Sequence, residues 1–142
     1  MPVVSGIIRS KGRATMALGC ENFGEIEVKL AQAIAKPIPP KYVKSSPTRE
    51  VTYVGDDVDL YKLPIPMSSI YDGGPMITAG VVIAKDPELG FNSGMYRFIV
   101  KEKSLTGIDI QTPNNNRLFA QRAFEQGRPS PISISIGTTP FW

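Results

Sequence analysis

The stretch that most constrains the fold is Tyr71–Arg97, where turn-forming residues alternate with runs of β-forming residues. It opens with Tyr71–Pro75, whose glycines tolerate positive φ and whose proline fixes its own φ, so the segment favours a turn. Met76–Lys85 is rich in β-branched residues and carries no charge before its last residue, which is typical of a strand buried on both faces. Asp86–Gly90 breaks this run, and Asn92–Val100 carries the chain back. The stretch therefore predicts a β-hairpin.

Outside the hairpin, the sequence predicts helices and further short strands. Asn22 and Glu25 resemble a capping pair at the start of a helix that continues at helical spacing to Ala35. Thr112–Asn116 opens a second helix, which Gly127 ends. The apolar face expected for this second helix consists of Leu118, Phe119, Ala123 and Phe124. About six short strands are expected: Pro2–Ile8, Glu50–Val54, Met76–Lys85, Asn92–Val100, Leu105–Gln111 and Pro131–Gly137.

This order of elements favours an α+β fold, with a mostly antiparallel barrel and two or three short helices, over a doubly wound parallel sheet. With 142 residues, the chain is expected to form a single domain over residues 1–142. Residues 37–49 form a proline-rich connector within it, interpreted as a linker on the domain surface, with a polyproline II ligand as the alternative. Asp56, Asp57 and Asp59 lack the glycine and terminal glutamate of an EF-hand, so a solvated acidic turn is preferred to a Ca²⁺ loop.

Composition excludes several classes of function. The net charge is only +3 and the basic residues are scattered, so we expect no nucleic-acid partner. No segment reaches the ~18 apolar residues of a membrane span, and the first residues lack a signal-peptide pattern. The single cysteine suggests a reducing compartment, and we expect a cytoplasmic protein. Because the chain has no histidine, it cannot itself supply a Ser-His nucleophile or imidazole acid–base catalysis.

The returning strand of the hairpin carries the candidate functional residues. In a strand, Asn92, Gly94 and Tyr96 face one side, while Ser93, Met95 and Arg97 face the other. A glycine within a strand often marks the close approach of a ligand or another backbone. Two interpretations follow from the residues alone: a bulge with a surface arginine, or a phosphate or metal-phosphate site. In the second, Asn92 offers an oxygen to a hard cation and Arg97 faces an anion.

Three longer motifs carry a resemblance to a known family: LPIP at Leu63–Pro66, DGGPMITAGVVIAKDPELG at Asp72–Gly90, and NSGMYR at Asn92–Arg97. Together they resemble the UbiD family of prenylated-flavin-dependent decarboxylases. That family has a proline-rich lead, a DGGxxITxGxxI strand, a DP turn and an N-x-G-x-Y-R segment. The flanking segments are similar as well, including LTGIDI at Leu105–Ile110 and ISISIGTTP at Ile132–Pro140. The similarity covers nearly all of the chain.

The resemblance implies a split β-barrel of the flavin-reductase type that binds prenylated FMN, with Mn²⁺ or Mg²⁺ and K⁺ at the phosphate. It implies reversible decarboxylation of an unsaturated or aromatic carboxylic acid. By the same resemblance, Arg97 is the catalytic arginine that holds the substrate carboxylate, and Asn92 is a metal ligand. The cofactor-binding residues that it implies are Thr78, Asn92, Ser93, Gly94, Met95, Tyr96 and Arg97. A guanidinium suits a carboxylate, and a cofactor that acts as an electron sink removes the need for histidine.

The chain also departs from the family pattern. The family's histidine metal ligand corresponds to a place near Pro113–Asn114, where Asn114 is the candidate substitute ligand, although an amide binds a transition metal more weakly than imidazole. The family's glutamate metal ligand and the acidic partners of its arginine fall beyond residue 142. A barrel that stops after Ile136 would leave an unpaired edge.

Three hypotheses follow. The first is a subunit of a UbiD-like enzyme, completed in an oligomer by a second protein chain that supplies the missing acidic residues. The second is a non-catalytic flavin-binding, phosphate-binding or assembly module derived from that fold. The third is a fragment of a longer enzyme.

Overall fold

The computed structural model describes residues 3–4 and 6–138. By their contacts these residues fall into two compact units, one before Asp56 and one over Asp56–Thr138. The expectation of a single domain over residues 1–142 stays a prediction. No helix in the described part of the chain is both long and apolar enough to cross a membrane.

The N-terminal unit contains two α-helices, α1 (Lys11–Leu18) and α2 (Phe23–Ala35). The start of α2 confirms the predicted capping pair, because the Asn22 side chain accepts a hydrogen bond from the Glu25 backbone N–H at 3.2 Å. The Glu25 carboxylate in turn accepts one from the Glu21 backbone N–H at 2.9 Å. Lys36 follows α2, and the prolines at 37, 39 and 40 exclude a further helical turn.

Two predicted strands are wrong. Residues 50–54 form no strand: a one-turn 3₁₀ helix at Pro47–Arg49 precedes them, and Glu50 keeps helical φ and ψ. Within Pro2–Ile8, Pro2 and Ser5 lie outside the described residues, and residues 3–4 and 6–8 are not extended strand. Gly6 has a φ of 61°, which interrupts an extended run. Both segments have β-forming side chains, but neither pairs with a strand among the described residues.

The C-terminal unit is built on a four-stranded antiparallel sheet with the order β3-β2-β1-β4. Its strands are β1 (Met76–Asp86), β2 (Gly90–Glu102), β3 (Leu105–Asp109) and β4 (Ile132–Ser135). The predicted hairpin is β1–β2, and α3 (Asn115–Glu125) connects β3 to β4. One-turn 3₁₀ helices at Gly55–Asp57 and Leu60–Lys62 precede the sheet. The α+β class and the antiparallel pairing are confirmed, but the described strands form an open sheet and a split barrel is not shown.

The core of this unit lies on the sheet face against which α3 packs. Its centre is Ile77, Val82 and Phe98, and Ile65, Tyr96 and Ile134 pack around it. Gly80 allows close packing here, because a Cβ at this position would come within 3.1 Å of Ile134 and 3.2 Å of Ile77, and these side chains would have to shift.

The buried face of α3 differs from the predicted one. Asn116, Phe119 and Ala123 are buried. Leu118 and Phe124 are exposed, Phe124 by 84%. Phe119 and Ala123 are therefore confirmed as part of the buried face, which also includes Asn116.

A buried carboxylate joins the hairpin turn to α3. Asp86 is 1% exposed, and it accepts hydrogen bonds from the backbone N–H groups of Glu88 at 2.9 Å and Leu89 at 3.0 Å. Arg122 Nε and Arg128 also donate to it, at 3.2 and 3.4 Å. The Leu89 N–H is the largest cause that lowers the pKa of Asp86; burial opposes it, and the Glu88 N–H and Arg122 add to the lowering.

Core packing gives a first prediction. Phe98→Ala removes a side chain that is 1% exposed, so we expect the free energy of unfolding to fall by about 3–5 kcal/mol in denaturant titrations. Phe91→Ala is the matched control on the same strand, because Phe91 is 65% exposed, and it should change stability by less than about 1 kcal/mol. Equal effects of the two substitutions would contradict this core.

The lowered pKa of Asp86 gives a second prediction. A carboxyl whose pKa is lower in the native state adds stability that is complete above its unfolded pKa of about 4 and is lost as the pH falls through the native pKa. Asp86→Asn should therefore lower the denaturation midpoint most at pH 7, and the gap to wild type should narrow below about pH 4. Glu88→Gln, whose side chain is 72% exposed, is the control and should have a smaller effect. A gap that stays constant down to pH 2 would contradict the assignment.

Candidate functional site

A cleft of about 440 Å³ lies where β3 ends beside β2. The pairing of these strands stops at Arg97 and Asp109, so Gly90–Tyr96 of β2 is paired with β1 alone. The other edge of this part of β2 faces no strand among the described residues. The cleft is lined by Thr78, Gly94, Met95, Tyr96, Arg97, Asp109, Ile110, Gln111, Thr112 and Asn114. Its volume is that of a pocket for a small molecule or cofactor.

The structure brings most of the predicted site residues to this cleft. Thr78, Asn114 and the segment Gly94–Arg97 line it. Asn92 and Ser93 do not line it. The predicted alternation of β2 is confirmed: Asn92, Gly94 and Tyr96 are half-buried, and Ser93, Met95 and Arg97 are exposed. The direct role of Asn92 and Ser93 in binding the cofactor stays a prediction.

Glycine at position 94 makes room for the ring of Tyr96 as well as lining the cleft. A Cβ at this position would come within 3.1 Å of the Tyr96 ring. Because glycine has no side chain, the ring of Tyr96 can lie against the strand at this point. On this face of the strand, therefore, the Tyr96 ring occupies part of the space beside Gly94.

Hydrogen bonds between side chains tie the start of α3 to β2. The Tyr96 hydroxyl donates to Asn114 Oδ1 at 3.0 Å. The same oxygen accepts from the Arg117 backbone N–H at 3.0 Å, which caps α3. Asn115 Nδ2 donates to Asn92 Oδ1 at 3.1 Å. These bonds hold the wall of the cleft in place.

The same bonds bear on the predicted metal site. The described residues contain no group of three or more His, Cys, Asp and Glu that could hold a metal ion. The Asn114 oxygen accepts two hydrogen bonds, and the Asn92 oxygen accepts one. A cation at Asn114 would have to replace one of these bonds, whereas the Asn92 oxygen keeps a second lone pair. Besides these amide oxygens, the described lining of the cleft offers one carboxylate, that of Asp109. The residues described here do not by themselves fit a divalent metal ion, so the metal assignment of Asn92 and Asn114 stays a prediction.

Arg97 is the most available charge in the cleft. It is exposed, and no hydrogen bond or ion pair joins its side chain to another described residue. Its donors are therefore free to bind an anion, for which a planar guanidinium has a suitable bidentate geometry.

Sequence reasoning missed the residues of the opposite wall, Asp109–Thr112. Asp109 lies directly across the strand pair from Arg97, and its carboxylate accepts a long hydrogen bond, 3.4 Å, from the Gln111 amide. The alternating pattern of β3 could have indicated which side chains share a face, but only the register places Asp109 opposite Arg97.

Two other carboxylates have structural roles. Asp72 accepts hydrogen bonds from the backbone N–H groups of Ser68 at 3.0 Å and Ser69 at 2.8 Å, which fixes the turn before β1. Glu88 forms an ion pair with Arg122 beside Asp86. Neither lines the cleft.

Comparison with known proteins decides the family. Residues 41–142 match the family model described as UbiD, 3-octaprenyl-4-hydroxybenzoate carboxy-lyase Rift-related domain. The chain belongs to the UbiD family. The resemblance drawn from the three sequence motifs is therefore confirmed.

Individual UbiD relatives agree with this assignment. The chain is 32% identical to the anhydromevalonate phosphate decarboxylase of Methanothermobacter thermautotrophicus, over 99% of this chain and 32% of the relative. Its structure is similar to that of the UbiD-class enzyme HmfF from Pelotomaculum thermopropionicum in complex with FMN, with a TM-score of 0.83 and 32% identity over 92% of this chain and 30% of HmfF. It is also similar to the vanillic acid decarboxylase of Sedimentibacter hydroxybenzoicus in its closed form, with a TM-score of 0.81 and 28% identity over 92% of this chain and 30% of that one. The chain thus spans about a third of the length of these UbiD proteins.

The hydrogen bond between Tyr96 and Asn114 can be tested directly. Tyr96→Phe removes the donor and leaves the ring, so stability should fall by about 0.5–1.5 kcal/mol, and the backbone amides at the start of α3 should exchange faster with solvent. Tyr71→Phe is the control, because Tyr71 is 91% exposed. Unchanged exchange at Asn115–Arg117 in Tyr96→Phe would show that the bond does not hold the helix.

Proposed function

We propose that this chain forms one wall of the flavin and substrate site of a UbiD-class carboxy-lyase, which catalyses reversible decarboxylation of an unsaturated or aromatic carboxylic acid. The observation that carries the proposal is the free guanidinium of Arg97, next to the open edge of β2, in a chain of this family. Structures of HmfF in complex with FMN and with prFMN support the choice of cofactor.

The cleft residues fit a flavin better than they fit a metal ion. The exposed edge of β2 at Gly94–Tyr96 offers backbone N–H and C=O groups to a planar ring, and Thr78 adds a hydroxyl. The half-buried Tyr96 closes one side. Mn²⁺, Mg²⁺ and K⁺ have no step in this proposal, because the described residues do not form a cation site by themselves.

In the proposed mechanism, Arg97 binds the substrate carboxylate with two parallel hydrogen bonds and orients it within the cleft. Prenylated FMN, when bound, supplies the electron sink for loss of CO₂. Tyr96 and Asn114 keep the wall rigid, so that Arg97 and the open edge of β2 hold a constant separation. The described cleft has one carboxylate, that of Asp109, and we assign the proton donor to a second protein chain.

The open edges of the sheet support the proposal that a second protein chain binds this one. β3 and β4 each have one edge without a strand partner among the described residues. Exposed edges of this kind are normally paired or covered. A partner that adds a strand and acidic residues would complete both the sheet and the site, and we expect a hetero-oligomer in the cytoplasm.

A non-catalytic flavin-binding, phosphate-binding or assembly module remains the alternative. The observation in its favour is that Asn114, at the place of the family's histidine, is engaged as a helix cap. The two functions separate in one experiment: the chain is purified with whatever protein accompanies it, reconstituted with prenylated FMN, and assayed for CO₂ release from an aromatic acid. CO₂ release supports the enzyme, whereas a flavin absorbance spectrum without CO₂ release supports the module.

The role of Arg97 gives a further prediction for the reconstituted enzyme. Arg97→Ala should lower turnover at least about 100-fold, since it removes the charge that holds the carboxylate, while folding stays nearly intact because the side chain is exposed. The matched control is Arg117→Ala, an exposed arginine on α3 that does not line the cleft. Turnover near that of wild type in Arg97→Ala would refute the assignment.

A further inference from the structure

A second, smaller cleft adjoins the first and shares its two charged residues. It has a volume of about 290 Å³ and is lined by Met76, Arg97, Ile99, Gly107, Ile108 and Asp109. The remaining lining residues are apolar apart from backbone. Gly107 lies directly across the strand pair from Ile99, and a Cβ there would come within 3.2 Å of the Ile99 side chain.

Arg97 and Asp109 face each other across these clefts. They are direct partners in the β2–β3 pairing, and side chains in that position have Cβ atoms about 4.5–5.5 Å apart on one face of the sheet. No ion pair joins them, so Asp109 does not neutralise the guanidinium by contact. Asp109 itself has only the long bond from Gln111. Both charges are therefore exposed to a bound ligand.

The lining of the two clefts contains one cation, Arg97, and one anion, Asp109. A ligand with one carboxylate can place it against Arg97 and leave an uncharged remainder beside Asp109 and the apolar wall. A ligand with a second anionic group finds no further cation and meets the Asp109 carboxylate instead. The nearest additional cation on this face of β2 is Lys101, whose side chain lies beside Gly107 and Gly73 and does not line either cleft.

We propose that Asp109 is a specificity-determining residue, which limits the acid bound at Arg97 to a monocarboxylate and disfavours a second anionic group. This inference rests on the proposed function of Arg97, and it adds a limit on the charge of the substrate. The chemical class is a monocarboxylic acid with an uncharged, largely apolar body.

The test compares benzoate with isophthalate, which has the same ring and one more carboxylate. Binding of each to the full chain is measured by NMR titration at about 10 mM ionic strength, where the Debye length is about 30 Å. Asp109→Asn keeps the shape of the side chain and removes its charge. For charges several Å apart near a protein surface, Coulomb's law leads us to expect the ratio of dissociation constants, isophthalate over benzoate, to fall about three- to tenfold.

Three controls make the result specific. Asp57→Asn makes the same change of charge outside both clefts and should leave the ratio unchanged. Arg97→Ala should weaken both acids. Repeating the titrations at about 1 M salt should remove most of the effect of Asp109→Asn, because the Debye length falls to about 3 Å, whereas an effect caused by altered folding would persist.

A ratio in Asp109→Asn that stays within twofold of wild type would overturn the inference, and so would a failure of benzoate to bind the wild-type chain. The proposed function is judged separately, by FMN absorbance and CO₂ release of the reconstituted enzyme. Retained flavin binding and turnover with an unchanged ratio would reject the role of Asp109 alone. A changed ratio with no flavin binding would reject the proposed enzyme and retain the anion site.

Discussion

Antiparallel pairing of β1 with β2 is the constraint on which the C-terminal unit depends. It fixes the register from Asp86 opposite Gly90 to Met76 opposite Ile99, with one irregularity between Ile77 and Gly80. Because successive side chains point to opposite faces, this register places Phe98 in the core and Arg97 in the cleft. A slip of one residue would exchange these two environments, burying a guanidinium and exposing an aromatic ring. The fold and the candidate site therefore share a single determinant.

The position of α3 depends on polar contacts at both ends as much as on its apolar face. Near its C-terminal end, Arg122 reaches the buried Asp86 in the hairpin turn. At its N-terminal end, Asn114 and Asn115 bond Tyr96 and Asn92 of β2. Asp86 is buried, and Asn92, Tyr96 and Asn114 are half-buried. Polar groups in such positions stabilise the fold only when each finds its partner. They fix the helix against the sheet, so that the wall of the cleft is a consequence of how the hairpin folds.

The sequence predicted the hairpin, the helix α2 with its capping pair, the helix α3 and the family. These features depend on local patterns: turn formers around β-branched runs, a cap three residues before its partner, and long ordered motifs. The strand predicted at Glu50–Val54 is wrong because its residues favour extended structure but pair with no strand in the described part of the chain. The prediction that Phe124 lies on the buried face of α3 is wrong for a related reason. Tertiary contacts, which local sequence does not specify, bury Asn116 and leave Phe124 exposed.

Part of the candidate site could be predicted from sequence motifs, but the part that depends on strand register could not. Arg97 and Thr78 lie in the cleft, as the motifs indicated, whereas Asp109 was missed because its meaning depends on the residue across the strand. The sequence could align the place of Asn114 with the family's histidine, but it could not indicate that Asn114 bonds Tyr96 and the Arg117 backbone N–H.

Asn114 has two structural duties, as cap of α3 and as acceptor for Tyr96. An imidazole introduced at this position to recover a metal ligand would remove the cap, at a cost of about 1 kcal/mol. It would also leave the phenol without its acceptor. A single residue at position 114 cannot both bind a metal ion through an imidazole and cap the first turn of α3. A chain with histidine here would need a different residue to cap this helix.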